Sequence, residues 1–83
     1  MKLKILSPEK TVYKAEAKSF NVKTLAGEIT ILSGHEPLIS MFDAGTAHII
    51  DGEDKKVSLE IGKGFLEMTP ENELNVLTEQ DAT

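Results

Sequence analysis

Two histidines, fourteen carboxylates and a scatter of hydroxyl side chains are the groups with which this 83-residue chain could do chemistry. His35 and His48 sit on separate segments. Neither belongs to a His-x-His or His-Glu-x-x-His spacing, the arrangements that bring two imidazoles to one metal ion. Ser33 lies two residues before His35, but an activated serine needs a base held by an acidic third group. In a turn such as Ser33-Gly34-His35-Glu36-Pro37, both side chains find backbone partners first. Glu53-Asp54 and Glu71/Glu73 fall in polar turns, where a solvated charge is the ordinary state. Gly62-Lys63-Gly64 has the glycines of a phosphate-binding loop, yet it lies between two strand-like segments with no helix N-terminus to receive a phosphate. It reads as a bulge or sharp bend whose glycines take φ values closed to other residues. The chain is expected to have no catalytic residue, metal, cofactor or small-molecule substrate.

Two further functional classes stay open at this level. Gly52-Glu53-Asp54-Lys55-Lys56-Val57 is an acidic hairpin tip bearing lysines. It resembles the hairpin on which lipoyl-carrier domains present their modified lysine, with Asp54-Lys55 matching the carrier's Asp-Lys pair. That resemblance implies a carrier modified on Lys55 or its neighbour Lys56; the plain alternative is a charged turn in solvent. A β-sandwich ligand-binding module would need an exposed aromatic platform, for which only Tyr13, Phe20, Phe42 and Phe65 are available.

Composition narrows the partners. Fourteen acidic residues against nine lysines, with no arginine, give a net charge of −5. That charge repels phosphate backbones, and the bidentate donor most used on guanine is missing. Nucleic-acid binding is not expected. The absence of cysteine rules out disulfides and thiolate metal sites. Lys2 and Lys4 interleave with Leu3 and Ile5, so the N-terminus lacks the apolar run of a signal peptide or membrane span, and a cytoplasmic location is expected. The length accommodates one hydrophobic core, so residues 1–83 are read as one domain ending in a polar tail at 79–83.

The elements that would position these groups are strands. Apolar residues recur at every second position, and no stretch of eleven or more follows the 3.6-residue period of a helix. Leu3 and Ile5 share one face, and Ser7-Pro8-Glu9-Lys10 turns the chain. From Thr11 the inward phase runs through Tyr13, Ala15 and Ala17, then slips to Phe20 and Val22, which predicts a β-bulge or break near Lys18-Ser19. Ile29 and Ile31 form a third strand and Leu38 to Phe42 a fourth. Thr46 to Ile50 leads into Asp51-Gly52, a dipeptide that favours a tight hairpin returning through Val57, Leu59 and Ile61. Leu66 and Met68, then Leu74 and Val76, complete an all-β pattern of eight or nine short strands, the spacing of a two-layer sandwich or flattened barrel.

Across Gly27-Glu28-Ile29-Thr30-Ile31-Leu32-Ser33-Gly34-His35-Glu36-Pro37-Leu38 the residue types recur in the order of one known family. The segment resembles the N-terminal domain of ATP synthase epsilon subunits, with their Gly-Glu, aliphatic pair and Gly-His-x-Pro-Leu. Leu3-Lys4-Ile5-Leu6-Ser7-Pro8-Glu9 is similar to that family's opening strand. Gly62-Lys63-Gly64-Phe65-Leu66-Glu67 is similar to its Gly-Gly-Phe/Ile-Leu-Glu strand, and Leu74-Asn75-Val76-Leu77 to its closing strand. The resemblance covers nearly the whole chain. Ser33 and Ala44 stand where the family has prolines, and Thr24-Leu25-Ala26 replaces a Pro/Thr-rich loop, changes expected to loosen these loops.

The resemblance implies a ten-stranded β-sandwich at the foot of the rotating stalk of a proton- or sodium-translocating F-type ATP synthase. It implies a non-catalytic subunit that binds gamma and the c-ring and couples ion flow to ATP synthesis. Such a subunit is peripheral to the cytoplasmic face of the cell membrane through the complex. Carried over to this chain, Ser7, His35, Pro37, Leu38 and Ser40 face gamma and Glu28 faces the c-ring. Leu38 and Met41 beside Pro37 are the expected apolar anchor. Most bacterial relatives continue into a two-helix hairpin that mediates inhibition and sometimes binds ATP; neither property is carried over.

Overall fold

The computed structural model describes residues 1–79; of the polar tail expected at 79–83, all but Glu79 lies outside the described residues. Alternation of apolar and polar side chains along extended backbone produces the strands β1 (Lys2–Leu6), β2 (Thr11–Thr24), β3 (Gly27–Leu32), β4 (Leu38–Phe42), β5 (Gly45–Asp51), β6 (Lys56–Ile61), β7 (Gly64–Met68) and β8 (Glu73–Thr78). In β1, Leu3 and Ile5 are buried while Lys2 and Lys4 are exposed, which is the period-2 reading of that segment.

Two layers share the long strand β2. Its first half pairs with β1, which continues through β8 and β7 to β4; its second half pairs with β3 on one side and β5 on the other, and β5 pairs with β6. Most pairs are antiparallel, but β1 and β8 run parallel. The strand can serve both layers because it bulges where the phase slip was read. Ala17 stands opposite Asp51 and Ser19 opposite Ile50, leaving Lys18 as the extra residue, and a bulge bends and twists its strand. There are eight strands among the described residues rather than the ten implied by the resemblance, and the bulge bends β2 without breaking it in two.

Leu3, Ile5, Leu66, Met68, Leu74 and Val76 from the first layer meet Phe20, Val22, Ile31, Ala47 and Ile49 from the second in one core, each 2% exposed or less. Each large side chain so buried contributes about 1.5–3 kcal/mol from removal of apolar surface from water.

Two turns differ in detail from their sequence reading. The β5–β6 connection is a four-residue loop, Gly52 to Lys55, and the residue with positive φ is Asp54 (66°) rather than Gly52. Asp51 supports it by accepting the Glu53 and Lys55 amides on Oδ1, at 2.8 and 2.9 Å. Gly52 instead donates its amide to Glu16 O. Gly64 is not at positive φ either. Its need for glycine is close approach, since a Cβ there would stand 1.8 Å from the carbonyl oxygen of Leu77.

Candidate functional site

No group of three His, Cys, Asp or Glu side chains is placed to hold a metal among the described residues. His35 Nδ1 donates to its neighbour's carbonyl, Glu36 O, at 2.8 Å. Ser33 Oγ meets Asn72 Nδ2 instead of His35. His48 lies 3.3 Å from Ser58 Oγ on an exposed face. The chemistry of the molecule lies in its outward surfaces.

On the first layer, strand register places Met41 opposite Phe65, Phe65 opposite Leu77 and Leu77 opposite Leu6. These four apolar side chains form one row across β4, β7, β8 and β1. Met41 is 78% exposed, Phe65 46% and Leu77 39%; Ile39, two residues from Met41 on the same face, is 73% exposed. A groove of about 620 Å³ opens beside the row, lined by Leu25, Met41, Phe42, Phe65 and Leu77 among others, with Asp43 and Lys63 at its margin. Leu25, at the tip of the β2–β3 turn, is 96% exposed. The turn that carries it is firm, with Thr24 Oγ1 donating to Gly27 O and accepting the Ala26 amide.

The second layer presents the opposite character. Thr30, Asn21, His48 and Ser58 stand in one row across β3, β2, β5 and β6. Asn21 Nδ2 donates to Thr30 Oγ1 at 2.9 Å. In the neighbouring rows the Thr46 hydroxyl bonds Glu60, and Lys23 stands opposite Glu28. Leu32, 55% exposed, and the half-buried Ile50, both opposite Ser19, are the apolar exceptions.

The residues named from sequence are spread over both layers. Leu38 and Ser40 share the core-facing side of β4, Leu38 packing on the core, while the outward side carries Ile39 and Met41. Ser7 follows β1 at the end of the sandwich near the groove, and its hydroxyl is engaged with Lys10 in the turn. His35 and Pro37 are exposed at the other end, before β4. Five residues of strand at about 3.3 Å each put roughly 17 Å between these ends, a span that one partner lying along the face covers. Glu28 is exposed near the groove end, one residue past the Leu25 turn.

Ile39 escaped the sequence reading because Leu38-Ile39-Ser40-Met41-Phe42 is apolar on both parities and does not show which side faces inward. Phe65 and Leu77 did carry a signal: each shares its parity with a polar residue, Glu67 or Asn75, so each is an apolar residue on a solvent face.

The other surfaces give less. Phe20 and Phe42 are buried and Tyr13 is half-buried, so the four aromatics form no common platform. Burial, and then the negative charge of Asp51, push the Tyr13 phenol above its ordinary value. Lys55 sits in the exposed β5–β6 loop, and Asp54 is paired with Lys18 at 2.7 Å. The amides of Lys55 and Glu53 hold the Asp51 carboxyl below the usual carboxylate range.

The fold is a two-layer β-sandwich with an engaged polar face and an open apolar face. Residues 1–81 match the family described as ATP synthase, Delta/Epsilon chain, beta-sandwich domain. The chain is 37% identical over 82 residues to an ATP synthase epsilon chain of Leptospira interrogans, covering 99% of this chain and 63% of that protein. It is 35% identical over 72 residues to one of Neisseria meningitidis, covering 86% and 51%. Solved structures share its fold, among them two ATP synthase assemblies. A chain of the Euglena gracilis mitochondrial ATP synthase (OSCP/F1/c-ring) superposes with a TM-score of 0.88 at 22% identity, covering 98% of this chain and 51% of that one. A chain of the Tetrahymena thermophila mitochondrial ATP synthase (central stalk/c-ring) gives 0.80 at 14%, covering 96% and 63%. The chain therefore belongs to the ATP synthase delta/epsilon β-sandwich family, and it spans about half to two-thirds of the length of these relatives.

Proposed function

We propose that this chain is the β-sandwich part of an epsilon-type rotor subunit of an F-type ATP synthase, non-catalytic in itself. The carrying observation is the outward apolar row Met41–Phe65–Leu77–Leu6 on a member of this family. Gamma docks along that face, reaching Ser7 at one end and His35 and Pro37 at the other. The c-ring lies against the groove end, where Glu28 and Leu25 project.

The work of such a part is mechanical. Torque and ion flow, whether of protons or sodium, stay coupled only while stalk and ring turn together, so the part needs a stiff body and two adhesive surfaces. A close-packed sandwich core supplies the stiffness. Apolar side chains in a well-packed row supply adhesion of about 1–2 kcal/mol or more each when they become buried hot spots. Through the complex the subunit would be peripheral to the cytoplasmic face of the cell membrane. Family membership displaces the carrier reading of Lys55.

The test is co-elution of this chain with gamma from the same source, then with gamma and the solubilised c-ring. A stable complex that is lost on Met41→Glu with Phe65→Glu, and weakened by Glu28→Lys only when the ring is present, supports the assignment. No complex with folded gamma overturns it.

A further inference from the structure

The Ser33-to-Glu36 loop, expected to be loosened by serine at a proline position, is instead tied down at several points. The Ser33 amide, which proline lacks, donates to Lys18 O at 3.1 Å, and the His35 amide donates to Leu32 O at 2.9 Å. The strongest tie comes from the far side of the chain. Asn72, in the turn between β7 and β8, accepts the Gly34 amide on Oδ1 at 2.7 Å and donates from Nδ2 to Ser33 Oγ at 3.1 Å. The terminal ammonium of Met1 donates to the same Ser33 Oγ, also at 3.1 Å.

The backbone of Asn72 is itself held. Its amide donates to Thr69 O and its carbonyl accepts the Lys2 amide, both at 3.2 Å. Its φ of 62° lies in the left-handed region, which asparagine tolerates better than most side chains. An amide side chain at this point does what few others can: it offers an acceptor to one loop residue and a donor to the next. Gly34, at φ 83°, turns the chain between them and sets the direction in which His35 leaves.

We infer that Asn72 is a positioning residue for the partner contact made by the His35 loop: it joins the first layer to that loop and holds His35 and Pro37 at the end of the apolar face. This rests on the reading that gamma docks on that face. The consequence is that a residue outside the loop controls how much of the end of the interface is preformed, and preformed loops bind with less ordering cost.

Three variants separate the atoms. Asn72→Gly keeps the left-handed backbone and removes both bonds; Asn72→Asp keeps the acceptor for Gly34; His35→Ala removes the side chain being positioned. With the intact 83-residue chain and gamma, Asn72→Gly is expected to weaken binding about 5- to 20-fold and Asn72→Asp about 2- to 3-fold, partial rescue by the conservative change. In a His35→Ala background Asn72→Gly is expected to cost less than twofold more, the non-additivity of residues acting through one another. Without gamma, exchange of the Gly34 amide should quicken tenfold or more in Asn72→Gly while amides of β8 keep their protection.

Full additivity of Asn72→Gly with His35→Ala would overturn the inference, because Asn72 would then act through general stability. Unchanged Gly34 exchange would also overturn it. Loss of binding in Met41→Glu with none in His35→Ala sinks this inference alone and leaves the docking face standing. Failure of the unsubstituted chain to bind gamma removes the docking reading itself.

Discussion

The two outward faces of the sandwich are built on the same pleated backbone and end in opposite states. On the second layer, the row Thr30, Asn21, His48 and Ser58 satisfies much of its polarity across strands, Asn21 bonding Thr30 and Ser58 lying beside His48. On the first layer the row Met41, Phe65, Leu77 and Leu6 has nothing to bond with and leaves apolar surface in water. Removing such surface from water is favourable by about 25 cal/mol per Å², so one face is finished and the other gains by being covered. A contiguous apolar strip beside an open groove is the kind of surface that marks an interaction site. Exposed apolar strand surface is thus concentrated on one side of a body whose core is closed.

The strongest way to break this contrast is to charge each face in turn. Met41→Glu with Phe65→Glu is expected to reduce affinity for gamma by more than about 100-fold, through loss of two central apolar anchors. His48→Glu with Thr30→Glu, on the other face, should change it less than about twofold. Calorimetric titration gives both numbers, and equal losses would mean that the faces do not differ in role.

Inside the body the expected effects are on folding. Leu66→Ala or Leu74→Ala, each at a fully buried position, should cost about 2–5 kcal/mol of stability in urea unfolding through the lost transfer energy and the cavity left behind. Leu77→Ala on the open face should cost under about 1 kcal/mol in the free chain while still weakening the complex. A substitution that separates folding from binding in this way sharpens the distinction between core and docking row.

Gly64→Ala tests whether the row depends on strand spacing. Its Cβ would meet Leu77 O at 1.8 Å, so β7 and β8 must shift. A stability loss of about 1–3 kcal/mol is expected, as for an overpacked site, together with displaced amide resonances for Phe65 and Leu77. Preserved resonances would show that the strand pair adapts elsewhere.

The smallest effect belongs to acid. The Asp51 carboxyl is held below its ordinary value by two loop amides, so the folded state binds fewer protons there than the unfolded chain. Its stabilising contribution is present above the ordinary carboxylate range and disappears as pH falls through that range and below it. Asp51→Asn should flatten that part of the pH–stability curve without moving gamma affinity at neutral pH.

How much of this was legible beforehand varies by element. The phase slip from Ala17 to Phe20 announced the bulge that lets β2 serve both layers. Leu3, Ile5, Leu66, Met68, Leu74 and Val76 announced the core by alternation, and the Gly27-to-Leu38 segment pointed to the family. Side-chain period 2 is a local property, so a chain read in order reveals it. The outward apolar row was only half legible. Phe65 and Leu77 carried an unused signal, as apolar residues on polar parities, but in Leu38 to Phe42 both parities are apolar, and only the pairing of β4 with β7 decided that Ile39 and Met41 face outward while Leu38 and Ser40 face the core.

What the sequence by itself determined, then, was strand content, core membership and kinship. What the tertiary structure decided was everything that depends on register between distant segments. The parallel pairing of β1 with β8 brings Leu6 to Leu77 and completes the apolar row. The approach of Asn72 to Ser33 and Gly34 joins residues nearly forty positions apart. The 1.8 Å approach to Leu77 O, rather than backbone dihedral freedom, explains Gly64. The physical reason is that a strand's own residues set which side chains alternate, whereas its neighbours, chosen by burial of the whole core at once, set which of those side chains meet.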